Sequence, residues 1–292
     1  MPDNKKELET LPDDVYSLFD PSVDHVVNEG NLEEMLSNIA EQMRHRMRKQ
    51  DDENRSPLRF SALGKPDRQL WYEAHPEEGM KEPMTPKTYL KFLYGAIIEE
   101  MLLFLIKEAG HEVKDEQREV EVDGVTGHID AVIDGVVVDV KSASPYGYKK
   151  FENNTVAQDD PFGYVDQLSG YANVLTPGKA AAWIAFDKVA GDICVSPLAP
   201  VVIEHHPPAE RIEHLKKVIE KDEPPERCYE PVPDGKSGNL KLPIGCSYCA
   251  HKHRCHPALR TFIYSTGPRF LTEVKRVPDV PEVTNVKGKD DG

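Results

Sequence analysis

The stretch from Gly127 to Ser144, GHIDAVIDGVVVDVKSAS, constrains this chain more than any other part of it. Asp134-Gly135 separates two apolar runs, and Asp-Gly is a strong hairpin signal because both central residues of a type I′ turn take positive φ. A two-residue loop there pairs Ile133 with Val136. Counting outward sets Asp130 opposite Asp139 and His128 opposite Lys141. Strand side chains alternate with period two, so the four share one face. Directly opposed β-carbons lie about 5 Å apart, where like charges repel. Val136, Val137, Val138 and Val140 argue that the hairpin is buried, so water does not relieve that repulsion. A divalent cation does: magnesium and manganese take carboxylate oxygens, and an opposed pair supplies half of a coordination shell. Lys141, two residues beyond Asp139, brings positive charge to the same pocket.

A second Asp-Gly, at 123–124, divides the region into three strand-like runs, 112–122, 125–133 and 136–143, which read as a meander. A helix precedes them from Thr85 to Ala109, with Thr85 as cap, Pro86 at its first position and Gly110 as its stop. Asp160-Pro161 opens a second helix to Leu175, and KAAAWIAFD follows as a buried strand. Helix, three strands, helix, strand predicts an α/β core with a mixed central sheet. The first thirty residues, acidic and with little periodicity, read as a tether. NLEEMLSNIAEQMRHRMRKQ reads as an amphipathic helix whose stripe of Met35, Ile39, Met43 and Met47 docks on the protein's own core. Pro207–Lys221 reads as a further helix. The expected divisions are residues 1–55 (acidic tether and amphipathic helix), 56–222 (the core), 223–276 (cysteines and basic groups) and 277–292 (a flexible tail).

No apolar run approaches the roughly 20 residues that span a bilayer, and the N-terminus lacks a signal-peptide core, so a cytoplasmic protein with no membrane partner is expected. The net charge of −15 argues against nucleic acid only if it is evenly spread. It is not: residues 1–60 carry fourteen acidic against eight basic groups, whereas residues 234–276 carry two against eight. Positive charge gathers around the cysteines.

The spacing Asp130 … Asp139-Val140-Lys141 resembles the signature of the PD-(D/E)XK nucleases. Gly95 to Glu99, GAIIE, matches the Gly-x-x-x-Glu motif of the RecB-like exonucleases within that superfamily, which occur in recombination systems, phages and CRISPR adaptation. Gln167 to Tyr171, QLSGY, matches their Gln-x-x-x-Tyr motif. The resemblance covers about Ser61 to Pro257 and implies a restriction-endonuclease-like αβββαβ core. It also implies that Glu99, Asp130, Asp139 and the Val140 carbonyl hold magnesium or manganese, with Lys141 serving the attacking water and Gln167 and Tyr171 bracing the site or meeting a phosphate. His128, Ser144, Lys149 and Lys150 are candidates for contact with the substrate backbone.

Cys228, Cys246, Cys249 and Cys255 cluster near the C-terminus, and C-x-x-C-x-x-x-x-x-C in a cytosolic chain points to metal before disulfides. The resemblance implies a 4Fe–4S cluster. Lys65, Pro66 and Asp67 stand where the family places its first cysteine, so Cys228 is the substitute ligand. Zinc on four cysteines, or on three with His251, His253 or His256, is the alternative. Lys252 and Arg254 beside this cluster are candidates to hold a strand of nucleic acid. Cys194 reads as a core residue.

The expected function is therefore a metal-dependent DNA exonuclease of phage type, acting on single strands or duplex ends in recombination, replication or repair, with a recombinase or single-strand-binding protein as a possible partner. An endonuclease on the same site is the second reading. A non-catalytic DNA-binding protein is the third, and opposed carboxylates weigh against it because binding alone does not need them.

Overall fold

The computed structural model describes residues 6–48 and 56–283. The chain divides into two compact units, one built from the residues up to Gly64 with Thr85–Leu215, the other from Lys65–Met84 with the residues from Lys216 onward. In chain order the helices and strands are α1 (Leu11–Ser17), α2 (Glu29–Met47), α3 (Asp67–Ala74), α4 (Pro86–Glu108), β1 (Val113–Lys114), β2 (Glu119–Val122), β3 (Val125–His128), β4 (Ala131–Ile133) and β5 (Val136–Ala143). There follow α5 (Pro145–Glu152), α6 (Tyr164–Leu175), β6 (Ala181–Asp187), β7 (Ile193–Leu198), α7 (Pro200–Glu204) and α8 (Pro208–Ile219). The remainder is β8 (Val232–Pro233), β9 (Leu240–Lys241), α9 (Ile244–Ser247), α10 (Lys252–Cys255), β10 (Arg260–Tyr264), β11 (Gly267–Glu273) and β12 (Glu282–Val283). Among the described residues no helix is long and apolar enough to cross a membrane.

The first unit is an α/β structure around a mixed sheet ordered β1-β4-β5-β6-β7. Its one parallel pair is β5 with β6; the others are antiparallel. Both Asp-Gly pairs form the turns expected of them, with Asp123, Gly124, Asp134 and Gly135 all at positive φ. The β4–β5 register is the one the turn dictates, Ile133 with Val136 through Ala131 with Val138. The central strands read as near-continuous apolar runs because both sheet faces are covered. Leu102 and Ile106 of α4 and Leu11 of α1 pack with Ile133, Val138 and Ile184 in one core without solvent contact. Val138 and Val140 belong to that core, so Asp139 and Lys141 point to the opposite face, where α6 lies. Helix α4 is capped by the Thr85 side chain as expected.

Several expectations are corrected. The acidic N-terminal segment is not a tether throughout: Leu8, Leu11 and Val15 are buried in the core, and His111, without solvent exposure, sits between Asp134 at 2.6 Å and Asp14 at 3.3 Å. The meander is broken. Asp115 and Gln117 adopt positive φ and split the first run into β1 and β2, while β2 and β3 form a two-stranded sheet of their own. His128 therefore pairs with Glu119 and not with Lys141. The third concerns the tail: Glu282 and Val283 form an edge strand on β10. Its remainder, from residue 284, lies outside the described residues, as do residues 1–5 and 49–55.

The amphipathic helix α2 runs antiparallel to α4, joined by Asn31 to Glu108, Glu34 to Lys107 and Asn38 to Glu100. Its partly covered residues lie between Asn31 and Gln42; Met43 and Met47, expected on the docked stripe, are exposed.

The second unit holds an antiparallel sheet ordered β12-β10-β11-β9-β8 that the sequence reading did not foresee. Its strands are short and carry few alternating apolar residues; Phe262 and Leu271 are their buried anchors. Trp71 and Tyr72 of α3 pack with Val218, and the Trp71 indole donates to the Lys221 carbonyl at 2.7 Å.

Candidate active site and cysteine cluster

Three places in the first unit supply the predicted acids and Lys141. Glu99 comes from the middle of α4, Asp130 from the residue just before β4, and Asp139 and Lys141 from β5. Strand pairing stops at Ala131 with Val138, so Asp130 is not a ladder partner of Asp139; instead its Oδ2 accepts the Val140 amide at 2.6 Å. That bond turns the Asp130 carboxylate onto β5 beside Asp139. Lys141 Nζ lies 2.8 Å from Asp139 Oδ1 and 2.7 Å from Oδ2, but only Oδ1 receives an aligned hydrogen bond, leaving Oδ2 buried and unsatisfied. Gln117 donates to Glu99 at 2.9 Å.

The electrostatics record how crowded these acids are. Burial, then Glu100 and Asp139, push the Glu99 carboxyl up to about 7. Burial, then Glu99 and Asp139, hold Asp130 well above the usual carboxylate range. Burial also raises Asp139, although Lys141 opposes it. For Lys141, burial pulls the ammonium down, but Asp139 and Asp130 outweigh it and keep it above the ordinary lysine value. Three carboxylates against one ammonium leave two negative charges without a partner if all ionise, in a spot where charge is costly to bury. The donor set fits a divalent cation: hard oxygens, a negative excess of two, and an orphaned carboxylate oxygen on Asp139.

Among the described residues no group of three or more His, Cys, Asp or Glu side chains is arranged as a metal site. At the acid cluster Lys141 faces Asp139, the Val140 amide donates to Asp130 and Gln117 donates to Glu99. A cation entering here displaces or shares those partners.

Helix α6 supplies the other wall. Asp160 starts it by accepting the amides of Gly163 and Val165 at 2.9 and 2.8 Å, and Gly163, at φ +77°, packs backbone to backbone on Gly64. Gln167 is hydrogen-bonded to Tyr171, whose ring stacks on Phe60 with centroids 5.0 Å apart. Burial, then Asp139 and Asp130, keep the Tyr171 hydroxyl well above its ordinary pKa, so it remains a protonated donor. Two residues escaped the sequence reading. Tyr164 places its ring 4.7 Å from Lys141 Nζ, and its spacing with Gln167 and Tyr171 (i, i+3, i+7) was a readable signal. Gln117 carried no signal. Gly95 was expected to let α4 approach the sheet, yet a β-carbon there would lie 3.4 Å from Ser142 Oγ, an ordinary contact.

The other substrate-contact candidates lie apart from the acids or have local roles. His128 is exposed beside Glu119. Ser144 caps α5 by accepting the Gly147 amide. Lys149 pairs with Glu152, and Lys150 with Asp159, at 2.6 Å each.

In the second unit Cys228, Cys246, Cys249 and Cys255, all free thiols, line one cavity together with Arg68 and His256. Burial first, and neighbouring cysteines with it, push the Cys246 thiol up to about 12 and Cys249 to about 11. Of the alternative histidine ligands only His256 lines this cavity; His251 faces Glu73 at 3.5 Å and His253 the Phe270 ring. Lys252 is buried against Glu82. Arg254 bonds the His75 carbonyl, pairs with Glu77 and lies over the Trp71 and Tyr72 rings. Both candidate strand-binding cations are thus engaged within this unit.

Comparison with known proteins matches residues 38–256 to the PD-(D/E)XK nuclease superfamily. No curated protein matches the chain. Among solved structures, that of SSO0001 is 17% identical with a TM-score of 0.39, over 75% of this chain and 93% of its own. An alkaline exonuclease (LHK-Exo) from Laribacter hongkongensis is 15% identical with a TM-score of 0.32, over 55% and 93%. LHK-Exo in complex with dAMP is 13% identical with a TM-score of 0.35, over 56% and 91%.

Proposed function

The chain belongs to the PD-(D/E)XK nuclease superfamily, and from that premise we propose that it is a magnesium- or manganese-dependent exonuclease acting on DNA in recombination, replication or repair of phage type. The observation that supports this reading is that buried Asp139, bonded to Lys141, and half-buried Glu99 and Asp130 lie near enough to act on one another, the pKa of each acid being raised. Such crowding destabilises a fold and accompanies function. Glu99, Asp130, Asp139 and the Val140 carbonyl would hold the ion. When bound, it polarises a phosphate oxygen and lowers the pKa of a water.

The protein's own groups do the rest. Lys141, beside Asp139, would orient the attacking water and steady the negative charge of the transition state. Tyr164 confines that ammonium from one side. Tyr171, protonated and braced by Gln167 and Phe60, offers a hydroxyl donor next to the acids. The four cysteines would hold a 4Fe–4S cluster or a zinc ion that stiffens the second unit.

The test is incubation of the purified protein with end-labelled linear and closed circular DNA in magnesium, in manganese and in chelator. Loss of the linear form alone, only with metal, and its absence in Asp139→Asn, is the expected result. Cutting of both forms would replace the exonuclease by an endonuclease. No metal-dependent loss of either would reject the nuclease reading.

A further inference from the structure

Helix α4 continues beyond the acids, and its N-terminal half is unlike an ordinary surface helix. Tyr89, Leu90, Phe92 and Tyr94 are each roughly half exposed or more, and Lys87 and Lys91 are exposed among them. Neither lysine enters an ion pair among the described residues. At 3.6 residues per turn, Gly95 and Phe92, four and seven residues before Glu99, fall on the same stripe of the helix as Glu99 itself, with Lys91 beside them. Phe92 thus lies about 10 Å up the helix axis from the acid, on the same side. Helix α2 borders this stripe: Asn38 bonds Glu100, next to Glu99, and the antiparallel register brings Arg44 level with Tyr94 and Gly95, and Arg48 level with Lys91. Arg44 and Arg48 are exposed and also enter no ion pair among the described residues.

We propose that the exposed end of α4 with the adjoining end of α2 is a track for single-stranded DNA that leads a strand to the acids at Glu99; the inference rests on the nuclease reading above. Flat rings interleaved with free cations are the chemistry of single-strand binding, because unpaired bases stack on aromatic faces while lysine and arginine follow the phosphates. A purely apolar partner would leave Lys87, Lys91, Arg44 and Arg48 facing nothing. A duplex keeps its base faces covered and meets the lysines and arginines alone. Half-buried Gly95, beside Ser142 of β5, stands between Phe92 and Glu99 on that stripe.

The experiment is fluorescence anisotropy of a dye-labelled single strand of about 16 nucleotides and of a duplex of equal length, titrated with the full chain in chelator. Phe92→Ala weakens single-strand binding at least about fivefold and leaves duplex binding unchanged. Phe92→Trp restores the single-strand affinity. Lys91→Ala and Arg48→Ala each reduce the slope of log affinity against log salt by about 0.7. Phe92 is exposed, so a thermal melt that matches wild type shows the variant is folded. Unchanged single-strand affinity in folded Phe92→Ala, or an equal loss for the duplex, overturns the proposal. So does a wild-type dimer that Phe92→Ala converts to monomer, since the face would then be covered by a second copy. Failure of the nuclease reading shows elsewhere, as wild-type protein that cuts nothing when metal is added.

Discussion

Replacing Glu99 by Gln should make the metal-free protein more stable and the enzyme inactive, and the size of the effect follows from the site. In the folded chain burial, Glu100 and Asp139 hold the Glu99 carboxyl at about 7 against an ordinary value of 4.5. Between those pH values the folded chain keeps a proton that the unfolded chain has lost. Stability from this group therefore falls as pH rises from about 4.5 to 7, and is level above and below. The full difference corresponds to about 3 kcal/mol. Neutralising Glu99 also relieves Asp130, which is raised partly by Glu99, while an amide in its place still costs something to bury, so a gain of about 1–3 kcal/mol is expected at pH 8. Glutamine keeps the carbonyl that Gln117 bonds. For a unit of this size the melting temperature rises by about 2–4 °C per kcal/mol. Urea unfolding of wild type and Glu99→Gln in chelator from pH 4.5 to 8 measures the difference directly. The two should coincide near pH 4.5 and diverge to a plateau above 7. Equal stabilities across the range, or a variant less stable at pH 8, would refute the reasoning that these acids are held together against their charge. Added manganese should then stabilise wild type and leave the variant nearly unmoved.

Asp139→Asn should lower DNA cleavage by at least about 10²-fold at any metal concentration, measured as initial rates on linear DNA. Tyr164→Leu should reduce kcat more than KM, and Tyr164→Phe should recover most of the rate because the ring face is kept. Gly127→Ala and Gly95→Ala separate two glycines: a β-carbon at 127 would lie 2.4 Å from Phe60 Cβ and 2.8 Å from the Tyr171 hydroxyl, costing about 1–3 kcal/mol, whereas at 95 it meets nothing closer than 3.4 Å. Melts should show a loss only for the first. Cys246→Ser should abolish a visible absorbance that reductant bleaches if the cysteines hold iron and sulphur, or remove zinc from the protein as measured by metal analysis if they hold zinc.

What the sequence disclosed, it disclosed through local rules with few solutions. Asp-Gly between apolar runs admits one register, and Ile133 pairs with Val136 accordingly. Thr85-Pro86 and Gly110 bound a helix because cap and stop chemistry is local. Asp139 and Lys141 share one face of β5 by period two, whereas Glu99 was expected from the resemblance to the Gly-x-x-x-Glu motif and comes from helix α4. The misreadings share a cause. Whether β3 continues into β4 depends on Asp115 and Gln117 turning to positive φ and on Phe60 filling the space above Gly127, and those are contacts between residues far apart in the chain. Leu8, Leu11 and Val15 are too few to show periodicity in an acidic segment, yet each fills a place in the core.

The same distinction explains Asp130. Direct opposition across the ladder was the reason to expect a cation, but the ladder ends one residue short and the carboxylate instead accepts the Val140 amide. That bond favours the charged form of Asp130, and still its pKa stands well above normal, because burial and the repulsion of Glu99 and Asp139 are larger. A single backbone donor therefore does not satisfy this group, and neither does Lys141, which is committed to Asp139. The repulsion inferred from two opposed acids is present as a three-way repulsion among Asp130, Asp139 and Glu99, with the third acid delivered by a helix and not by the hairpin. Burial of three acids around one cation is unfavourable for folding alone, and adding two positive charges is the change that reverses its sign.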